Sequence, residues 1–538
     1  MPEGVRRYSE GEVGSEQKSI QSKTQKCLRT NNFVFSDLFS VICYLIFPLF
    51  CGLGFFLHPL FLFFRFYFVI VCGTLLMFLY FEGENKETMK KNRDTYFYKT
   101  FFTLFGTVAL QNLIVFSVNL ADSIMLGSYS ETAMSGVSLA NQIQYLLQFG
   151  ISGFANGLQV IASQYWGKKE TPPIKRVFSA AVLTACAAAA AMSIAVYAFP
   201  GEILGILSNE EAIVGCAVEY IKIMSLTYVI FAFTTILTAY MRSVESTAIG
   251  FVSSALALVT NVFLNYLLIF GNLGCPEMGA KGAAYATFAS RVVELTAVVI
   301  YVFFIDKKLK TRVRDIFSCG RSYFCDYIKT GLPLVGSGSS WGVAMTVQTA
   351  IIGRLGAAAI GANAVAAPVF QVVSVLYGAS GTASSVLIGK TVGENDTQRV
   401  KRYTKKLQVM FIITGLVSCG CLLLMKNTIL GIYDISEETR ALASSFISIL
   451  AVTIIGSSYE APCLCGIVSG GGDTKFVLIN DLIFMWLIVL PMSMLSAFVF
   501  KWSVPVTFFI LKSDQITKCA VAVVKVNRYK WIRKLTRS

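Results

Sequence analysis

The sequence predicts an all-α, polytopic membrane protein, and three observations lead to this fold class. Of the 538 residues, 55% are hydrophobic and only 14% are charged, whereas soluble globular proteins carry about 25% charged residues. Apolar runs long enough to cross a bilayer as helices recur from Tyr96 onward. Strand-type alternation is absent, which disfavours an outer-membrane barrel. A soluble multidomain enzyme and a disordered chain are both excluded by this composition.

We expect twelve membrane-spanning helices, arranged as two pseudo-symmetric bundles of six. The predicted spans lie at about 97–126, 136–165, 175–199, 214–238, 247–270, 281–304, 326–354, 360–389, 405–425, 442–466, 475–499 and 502–518. They divide the chain into four parts. These are an N-terminal extension (1–95), two six-helix bundles (96–310 and 311–518) and a basic cytoplasmic tail (519–538).

The distribution of charge predicts the orientation of these helices. The formal net charge is +15, from 46 Lys and Arg against 31 Asp and Glu. Lys and Arg concentrate in alternate connections, at 167–176, 306–315 and 393–406, whereas 128–132 and 200–212 carry acids and neither Lys nor Arg. Because Lys and Arg are enriched in cytoplasmic loops, both ends of the twelve-helix unit are predicted to face the cytoplasm. The positive charge therefore needs no nucleic-acid partner.

The N-terminal extension contains a second hydrophobic region, at 33–81. It holds 14 of the 42 Phe residues, and basic residues flank it on both sides. Equal charge on the two sides favours an even number of crossings, so we predict a hairpin of two helices. A single interfacial segment is the alternative.

A weak internal repeat relates the two predicted bundles. With an offset of 226 positions, residues 160–176 align with 386–402 without a gap. Gly167 then meets Gly393, and the pair at 175–176 meets the Lys-Arg pair at 401–402. Six helices separate the copies, so both have the same orientation. Parallel repeats of this kind occur in secondary transporters, whose sites lie at the interface of the halves.

Six separate stretches carry a family resemblance. They are NLADSIMLG (119–127), LANQIQ (139–144), ASQYWGKKE (162–170), NVFLNYLLIFGNLG (261–274), GAKGAAYATFASRVVEL (279–295) and GGGDTKF (470–476). Together they resemble the multidrug and toxic compound extrusion (MATE) family, over about residues 97–538. The resemblance implies two six-helix bundles that face a central cavity. It also implies export of organic, often cationic, compounds against an inward flow of Na⁺ or H⁺.

The resemblance assigns ion coupling first to Asp122, which matches the family's first-helix aspartate. A carboxylate retained within a membrane span is a functional candidate because an unpaired charge there is costly. Asn261 and Asn265 lie four residues apart on one face of the fifth span. In one branch of the family the second of these positions is an aspartate, so Asn265 disfavours a relay of two aspartates. Na⁺ binding at Asp122 or Asn261, substrate binding and plain inter-helix hydrogen bonding stay open.

Glu460, well inside the tenth span, is the second predicted coupling residue. Some members of the family carry a glutamate shortly after the Leu-Pro pair of the seventh span, where this chain has Gly338. Ser469 also stands where an arginine often precedes the final glycines. Glu460 would compensate for the missing glutamate, and a paired structural acid is the alternative.

Polar and aromatic side chains in the second and seventh spans predict a substrate cavity, with ordinary helix–helix contacts as the alternative. The predicted cavity residues are Asn141, Gln142, Gln144, Gln159, Gln348 and Trp341. In the sixth span, Arg291 and Glu294 are three residues apart and are expected to form a structural ion pair.

The resulting functional prediction is a secondary active antiporter of the cell membrane, not an enzyme, that takes small organic substrates and contacts lipid. No cofactor or resident metal is expected, the coupling ion is Na⁺ or H⁺, and a monomer is predicted. One alternative is a flippase of lipid-linked oligosaccharides from the same superfamily. Another is a polytopic membrane enzyme, although His58 is the single histidine. The absence of a GxxxxGK[ST] loop excludes a nucleotide-driven pump in practice.

Overall fold

The molecule is described from a computed structural model, for residues 94–207, 210–433 and 435–537. The N-terminal extension, with the predicted hairpin of 33–81, lies outside these residues. Within them the chain forms twelve long helical segments, two of which are broken. In chain order they are α1 (Asp94–Tyr129), α2 (Glu131–Gly167), α3 (Thr171–Ala198), α4a (Glu211–Ser225), α4b (Thr227–Ser243), α5 (Ala248–Leu268), α6 (Ala280–Ile305), α7 (Arg321–Gly353), α8 (Ala357–Gly393), α9 (Thr397–Ile432), α10 (Glu437–Val468), α11 (Thr474–Val499), α12a (Val504–Leu511) and α12b (Asp514–Asn527).

The helices have the length and composition of membrane spans. Eight of the described helices are apolar and long enough to cross a bilayer alone, and the bent pair α4a–α4b, with 48° between its parts, makes a ninth. The remaining three do not meet this criterion, because α2 and α7 contain polar residues and α12 is broken into two short parts. The predicted twelve-helix membrane fold is confirmed. The last helix continues to Asn527, past the boundary that the sequence predicts at 518.

Short polar connections end and restart the helices. Ser130 caps α2 and Ser436 caps α10, each accepting a hydrogen bond from the backbone N–H three residues on. Asp396 caps α9, since its carboxylate accepts a bond of 2.9 Å from the N–H of Arg399. Such caps satisfy backbone donors that the first helical turn leaves without a partner. The connections that carry these three caps, before α2, α9 and α10, have one, three and four residues.

The helix boundaries repeat with the offset found in the sequence. Shifting the ends of α2, Glu131 and Gly167, by 226 positions gives Ala357 and Gly393, which are the ends of α8. The same shift moves Thr171, the start of α3, onto Thr397, the start of α9. The two halves are thus α1–α6 and α7–α12. We call the end of the molecule with the connections after α2 and α8 the basic end.

Each half has its own apolar core, and α1 belongs to both. Helices α2–α6 pack around one cluster of buried side chains, and α7–α12 pack around most of a second one. The first part of α1 contributes Phe97, Phe101 and Phe105 to the second cluster, whereas Met125 and Leu126 at its other end join the first. α1 therefore crosses from one half to the other along its length.

The two halves meet closely at the basic end. A Cβ atom on Gly167 of α2 would lie 2.0 Å from the carbonyl oxygen of Lys390 in α8, and one on Gly393 would lie 1.9 Å from the carbonyl oxygen of Gln164. These reciprocal contacts leave no room for any side chain at either glycine. Lys390 also reaches across the interface to Glu245, with 2.9 Å between nitrogen and oxygen.

Helices α2 and α7 extend the interface towards the middle of the molecule. A Cβ atom on Gly157 would lie 2.6 Å from the Cα atom of Gly331, and one on Gly153 would lie 2.4 Å from the Cα atom of Val335. Small residues of this kind let two membrane helices approach until their backbones touch. The two halves are therefore closed against each other from the basic end inward.

The C-terminal tail lies across the basic end and contacts both halves. Gln164 of α2 donates to the carbonyl oxygen of Arg533 over 3.2 Å and accepts a bond of 2.9 Å from the N–H of Leu535. Arg533 donates its own N–H to the carbonyl oxygen of Gly471, over 2.8 Å. Trp531 is fully buried beside the same glycine. The basic tail predicted from the sequence is thus an ordered part of the interface.

Trp531→Ala should destabilise the protein by about 3–5 kcal/mol, the usual cost of removing a large buried aromatic side chain. The measurement is thermal unfolding of the purified protein in detergent. Trp502→Ala is the matched control, because Trp502 is 46% exposed whereas Trp531 is 0% exposed. Equal melting temperatures for the two variants would contradict the burial of Trp531.

Candidate functional site

A buried polar network in the N-terminal half surrounds Asp122. The Nδ2 of Asn265 in α5 donates to Oδ1 of Asp122 in α1, and also to Oδ1 of Asn261 over 3.1 Å. Asn261 in turn donates to the hydroxyl of Thr287 in α6, over 3.2 Å. All four side chains are buried. The structure therefore brings together three residues that the sequence singles out separately, Asp122, Asn261 and Asn265.

One oxygen of this network has no partner. The Oδ1 atom of Asn265 is buried and makes no hydrogen bond within the described part of the chain. A buried acceptor without a donor costs free energy, about 1–3 kcal/mol. A carboxylate and amide oxygens together form a set of hard ligands of the kind that alkali and alkaline-earth cations prefer. The network can thus hold either a cation or a proton on Asp122.

Arg291 and Glu294 form the predicted ion pair next to this network. Arg291 Nη1 lies 2.8 Å from Glu294 Oε2, and the other carboxylate oxygen accepts from the hydroxyl of Ser254 over 3.1 Å. The Arg291 guanidinium also lies 5.3 Å from the ring centroid of Phe231. A cavity of about 10 Å³ adjoins the pair, which is room for about one water molecule. Each charge has partners, as a structural role requires.

A larger cavity, of about 370 Å³, lies between the two halves: α2 contributes Phe149, Ser152, Gly153 and Asn156, and the C-terminal half contributes the rest of the lining. Its aromatic lining residues are Phe149, Trp341, Phe370 and Tyr377, and its charged lining residues are Glu460, Asp481, Asp514 and Lys518. This volume and this combination of aromatic faces with a few charges are typical of a site for a small organic molecule. Aromatic faces and carboxylates both attract organic cations.

The charged residues of this cavity come from three helices. Lys518 Nζ, in α12b, lies 3.0 Å from Oδ1 of Asp481 in α11 and 3.5 Å from Oδ2 of Asp514. The hydroxyl of Ser337 in α7 donates to the other oxygen of Asp481. Glu460 lies on the cavity wall in α10. Glu460, Asp514 and Lys518 are buried and Asp481 is half-buried, and the cluster faces an open volume rather than a packed core.

Known proteins of one family share this organisation. The MatE family model matches residues 108–267 and 339–495, one stretch in each half and together more than half of the chain. The chain belongs to the MATE family. The resemblance inferred from the six sequence stretches is confirmed, and the family consists of membrane transporters.

Individual relatives have low sequence identity to this MATE protein but match it over most of their own length. It is 25% identical over 419 residues to a probable multidrug resistance protein NorM of Bacillus cereus, which covers 75% of this chain and 90% of the relative. It is 23% identical over 415 residues to an uncharacterized transporter, YisQ, of Bacillus subtilis, which covers 76% of this chain and 89% of the relative. Similarity thus extends over nearly the whole of these relatives.

Solved structures agree on the fold. A MOP superfamily transporter from Pyrococcus furiosus matches with a TM-score of 0.74 at 16% identity, over 82% of this chain and 97% of the other. An outward-facing multidrug resistance MATE transporter matches with a TM-score of 0.73 at 16% identity, over 80% and 95%. At this identity the likeness concerns the fold alone.

The residues predicted to line a cavity fall into separate places in this MATE protein. Trp341 lines the 370 Å³ cavity and packs its ring edge-on against Phe149, with 5.0 Å between centroids. Gln348 instead accepts a bond from Lys512 over 3.2 Å. Gln159 joins the two halves by donating to the carbonyl oxygen of Thr382 over 3.3 Å.

The other predicted cavity residues do not contribute to the large cavity. Asn141, Gln142 and Gln144 lie in the first half of α2 and are not among the residues that line this volume. Gln142 is exposed. The six residues therefore do not form one polar surface, since only Trp341 among them lines this cavity.

Three charged cavity residues were missed by the sequence reasoning. Asp481 and Asp514 were not singled out, and Lys518 was taken as the end of the last span. A signal did exist: Lys518 follows Asp514 by four residues, the spacing that places two side chains on one helix face. Asp481 lies seven residues into α11, well inside a span, where an acid is a functional candidate.

Proposed function

We propose that this MATE protein exports small organic cations from the cytoplasm in exchange for Na⁺ or H⁺. The observation that carries the proposal is the cavity of about 370 Å³ with three carboxylates, one ammonium group and four aromatic rings on its wall. An excess of acids and several π faces suit a cationic, partly aromatic guest. The relative from Bacillus cereus, named a probable multidrug resistance protein, supports small organic compounds as substrates.

Ion coupling is proposed for the N-terminal half. Asp122 is buried within α1, and Asn265 beside it has an oxygen with no partner in the described chain. Binding of a proton or of Na⁺ would neutralise the carboxylate, and release would restore its charge. A change of charge at the contact between α1 and α5 is a means of biasing two arrangements of the helices. Glu460, which lines the 370 Å³ cavity, is then a residue of the substrate site.

The orientation of the protein in the membrane and its movement during transport are proposed from the loop charges and from the contacts between the two halves. Because the basic end carries most loop Lys and Arg, we place it, with both ends of the twelve-helix unit, in the cytoplasm. The contacts of α2 with α7 and α8 then close the cytoplasmic side. Transport requires these contacts to open as the two halves rock against each other, which is the alternating-access movement of repeat-built transporters.

The charge of the cavity argues against the alternative cargo. A lipid-linked oligosaccharide carries phosphate groups, for which a basic cavity is expected. The charged residues that line this cavity are three acids and one lysine. A polytopic membrane enzyme has no observation in its favour among the described residues.

Ethidium transport into everted membrane vesicles tests the proposal. Vesicles that contain the protein should accumulate ethidium when a Na⁺ or a H⁺ gradient is imposed, and an ionophore that dissipates the driving gradient should abolish accumulation. Applying each gradient separately identifies the coupling ion. Vesicles without the protein are the control. Accumulation that responds to neither gradient would refute ion-coupled export.

A further inference from the structure

Lys518 occupies the carboxylates to which a cationic substrate would bind. Its ammonium group lies within 3.0 Å of Asp481 and 3.5 Å of Asp514, and the lysine side chain is only 4% exposed. Both acids line the 370 Å³ cavity, and so does Lys518. In this arrangement the cavity already contains one bound cation, which is attached to the protein by the lysine side chain.

A purely structural ion pair would have a different setting. Structural pairs in membrane proteins are enclosed by neighbouring helices, because that removes both charges from lipid. Here the side chain of Asp481 is 18% exposed and faces the cavity together with Glu460. Lys512, by contrast, donates to the amide oxygen of Gln348 and lies 4.8 Å from the ring centroid of Phe370. Of these two buried lysines, Lys518 is the one paired with acids of the cavity.

The balance of charge permits an exchange of cations. With Glu460, Asp481 and Asp514 the cavity has three carboxyl groups for one ammonium group. A monovalent cation that enters can therefore pair with one carboxylate while Lys518 keeps another. Lysine suits such a role because its charge is compact and its four-carbon stem is flexible. The hydroxyl of Ser337 stays on Asp481 as a second donor.

We propose that Lys518 is a tethered cation that neutralises Asp481 and Asp514 in the empty cavity and yields one of them to a monovalent organic cation. The proposal rests on the proposed function, because it takes this cavity to be the substrate site. Lys518 then sets the affinity of the cavity: it weakens binding of every monovalent cation and favours release at the end of each cycle. It is an affinity-determining residue that acts by competition.

Binding of ethidium to the purified full-length protein, followed by fluorescence polarisation, tests this competition. Lys518→Met should tighten ethidium binding about tenfold, which corresponds to about 1.4 kcal/mol, because the competing charge is gone. Lys518→Arg should bind with nearly wild-type affinity. Lys525→Met is the matched control: Lys525 lies on the same helix but pairs with Asp473, 2.8 Å away at the basic end, so its removal should leave affinity unchanged.

Lys518→Gln provides a second test that protects against misfolding. Glutamine can still donate a hydrogen bond to Asp481 but carries no charge, so this variant should also bind ethidium more tightly. Equal or weaker binding in folded Lys518→Met and Lys518→Gln, with clear binding by wild type, would overturn the role of Lys518 alone. Absence of binding by wild type and all variants would contradict the proposed substrate class and this inference with it.

Discussion

Asp122→Asn should abolish gradient-driven export of ethidium while leaving the protein folded. Asparagine has nearly the volume of aspartate and keeps an oxygen that can accept the hydrogen bond from Asn265. It cannot carry the negative charge, so it can neither take up a proton nor neutralise a bound Na⁺. Ethidium accumulation in everted vesicles should fall to the level of vesicles that lack the protein. Ethidium binding at the 370 Å³ cavity should persist, because Asp122 does not line it.

Asp396→Asn is a matched control for this substitution. Asp396 caps α9 at the basic end, and asparagine caps helices as well as aspartate does. The control removes the same charge from the same residue type without touching the Asp122 network, so export should be retained. If Asp122→Asn exported ethidium at the wild-type rate under a gradient, coupling would lie elsewhere. Glu460→Gln would then be the next variant to measure.

The helices and the repeat could be predicted from the sequence because the membrane imposes them. A helix must be apolar over about 20 residues to cross a bilayer, and that requirement is visible in composition alone. The offset of 226 also survives in the boundaries of α2 and α8, because both end at glycines that the interface requires. The sequence could also single out Asp122 and Asn265, because both belong to stretches that resemble the family and both lie inside predicted spans.

The charged cavity and the tail could not be predicted in the same way. The helix that carries Lys518 is interrupted after Leu511, so hydropathy gives no measure of how deep Lys518 lies. From sequence alone, a lysine near the end of a span is interpreted as a loop residue. Its pairing with Asp481 on α11 becomes visible only in the structure. Trp531 is buried against Gly471, 60 positions earlier in the chain. A contact over this distance cannot be predicted from the residues around Trp531.

The repeat also shows that the two halves differ in chemistry. Shifting Asp122 by 226 positions gives Gln348, which cannot titrate and instead accepts a hydrogen bond from Lys512. The proposed ion site of the N-terminal half therefore has no counterpart at the equivalent place. The C-terminal half has its acids elsewhere, on α10, α11 and α12b. A shared backbone thus carries two different polar sites, consistent with separate tasks for ion and substrate.

Gly393→Ala should open the interface between the halves at the basic end. The added Cβ atom would lie 1.9 Å from the carbonyl oxygen of Gln164, whereas ordinary van der Waals contact begins at 3.4 Å. The two helices would have to separate, and overpacking of this kind costs about 1–3 kcal/mol. Since about 1.4 kcal/mol changes an equilibrium tenfold, the ratio of the closed to the open arrangement should fall by about fivefold to a hundredfold. Export of ethidium should fall with it.

Gly378→Ala is the matched control on the same helix. Nothing lies within 4 Å of a Cβ atom at Gly378, and alanine favours a helix over glycine by about 1 kcal/mol. The two substitutions should therefore affect stability differently: the melting temperature in detergent should drop for Gly393→Ala and stay constant or rise for Gly378→Ala. Because the chemical change is identical, only the distance to the opposing backbone can produce a difference. Equal melting temperatures and equal export would show that α2 and α8 do not meet as closely as this structure places them.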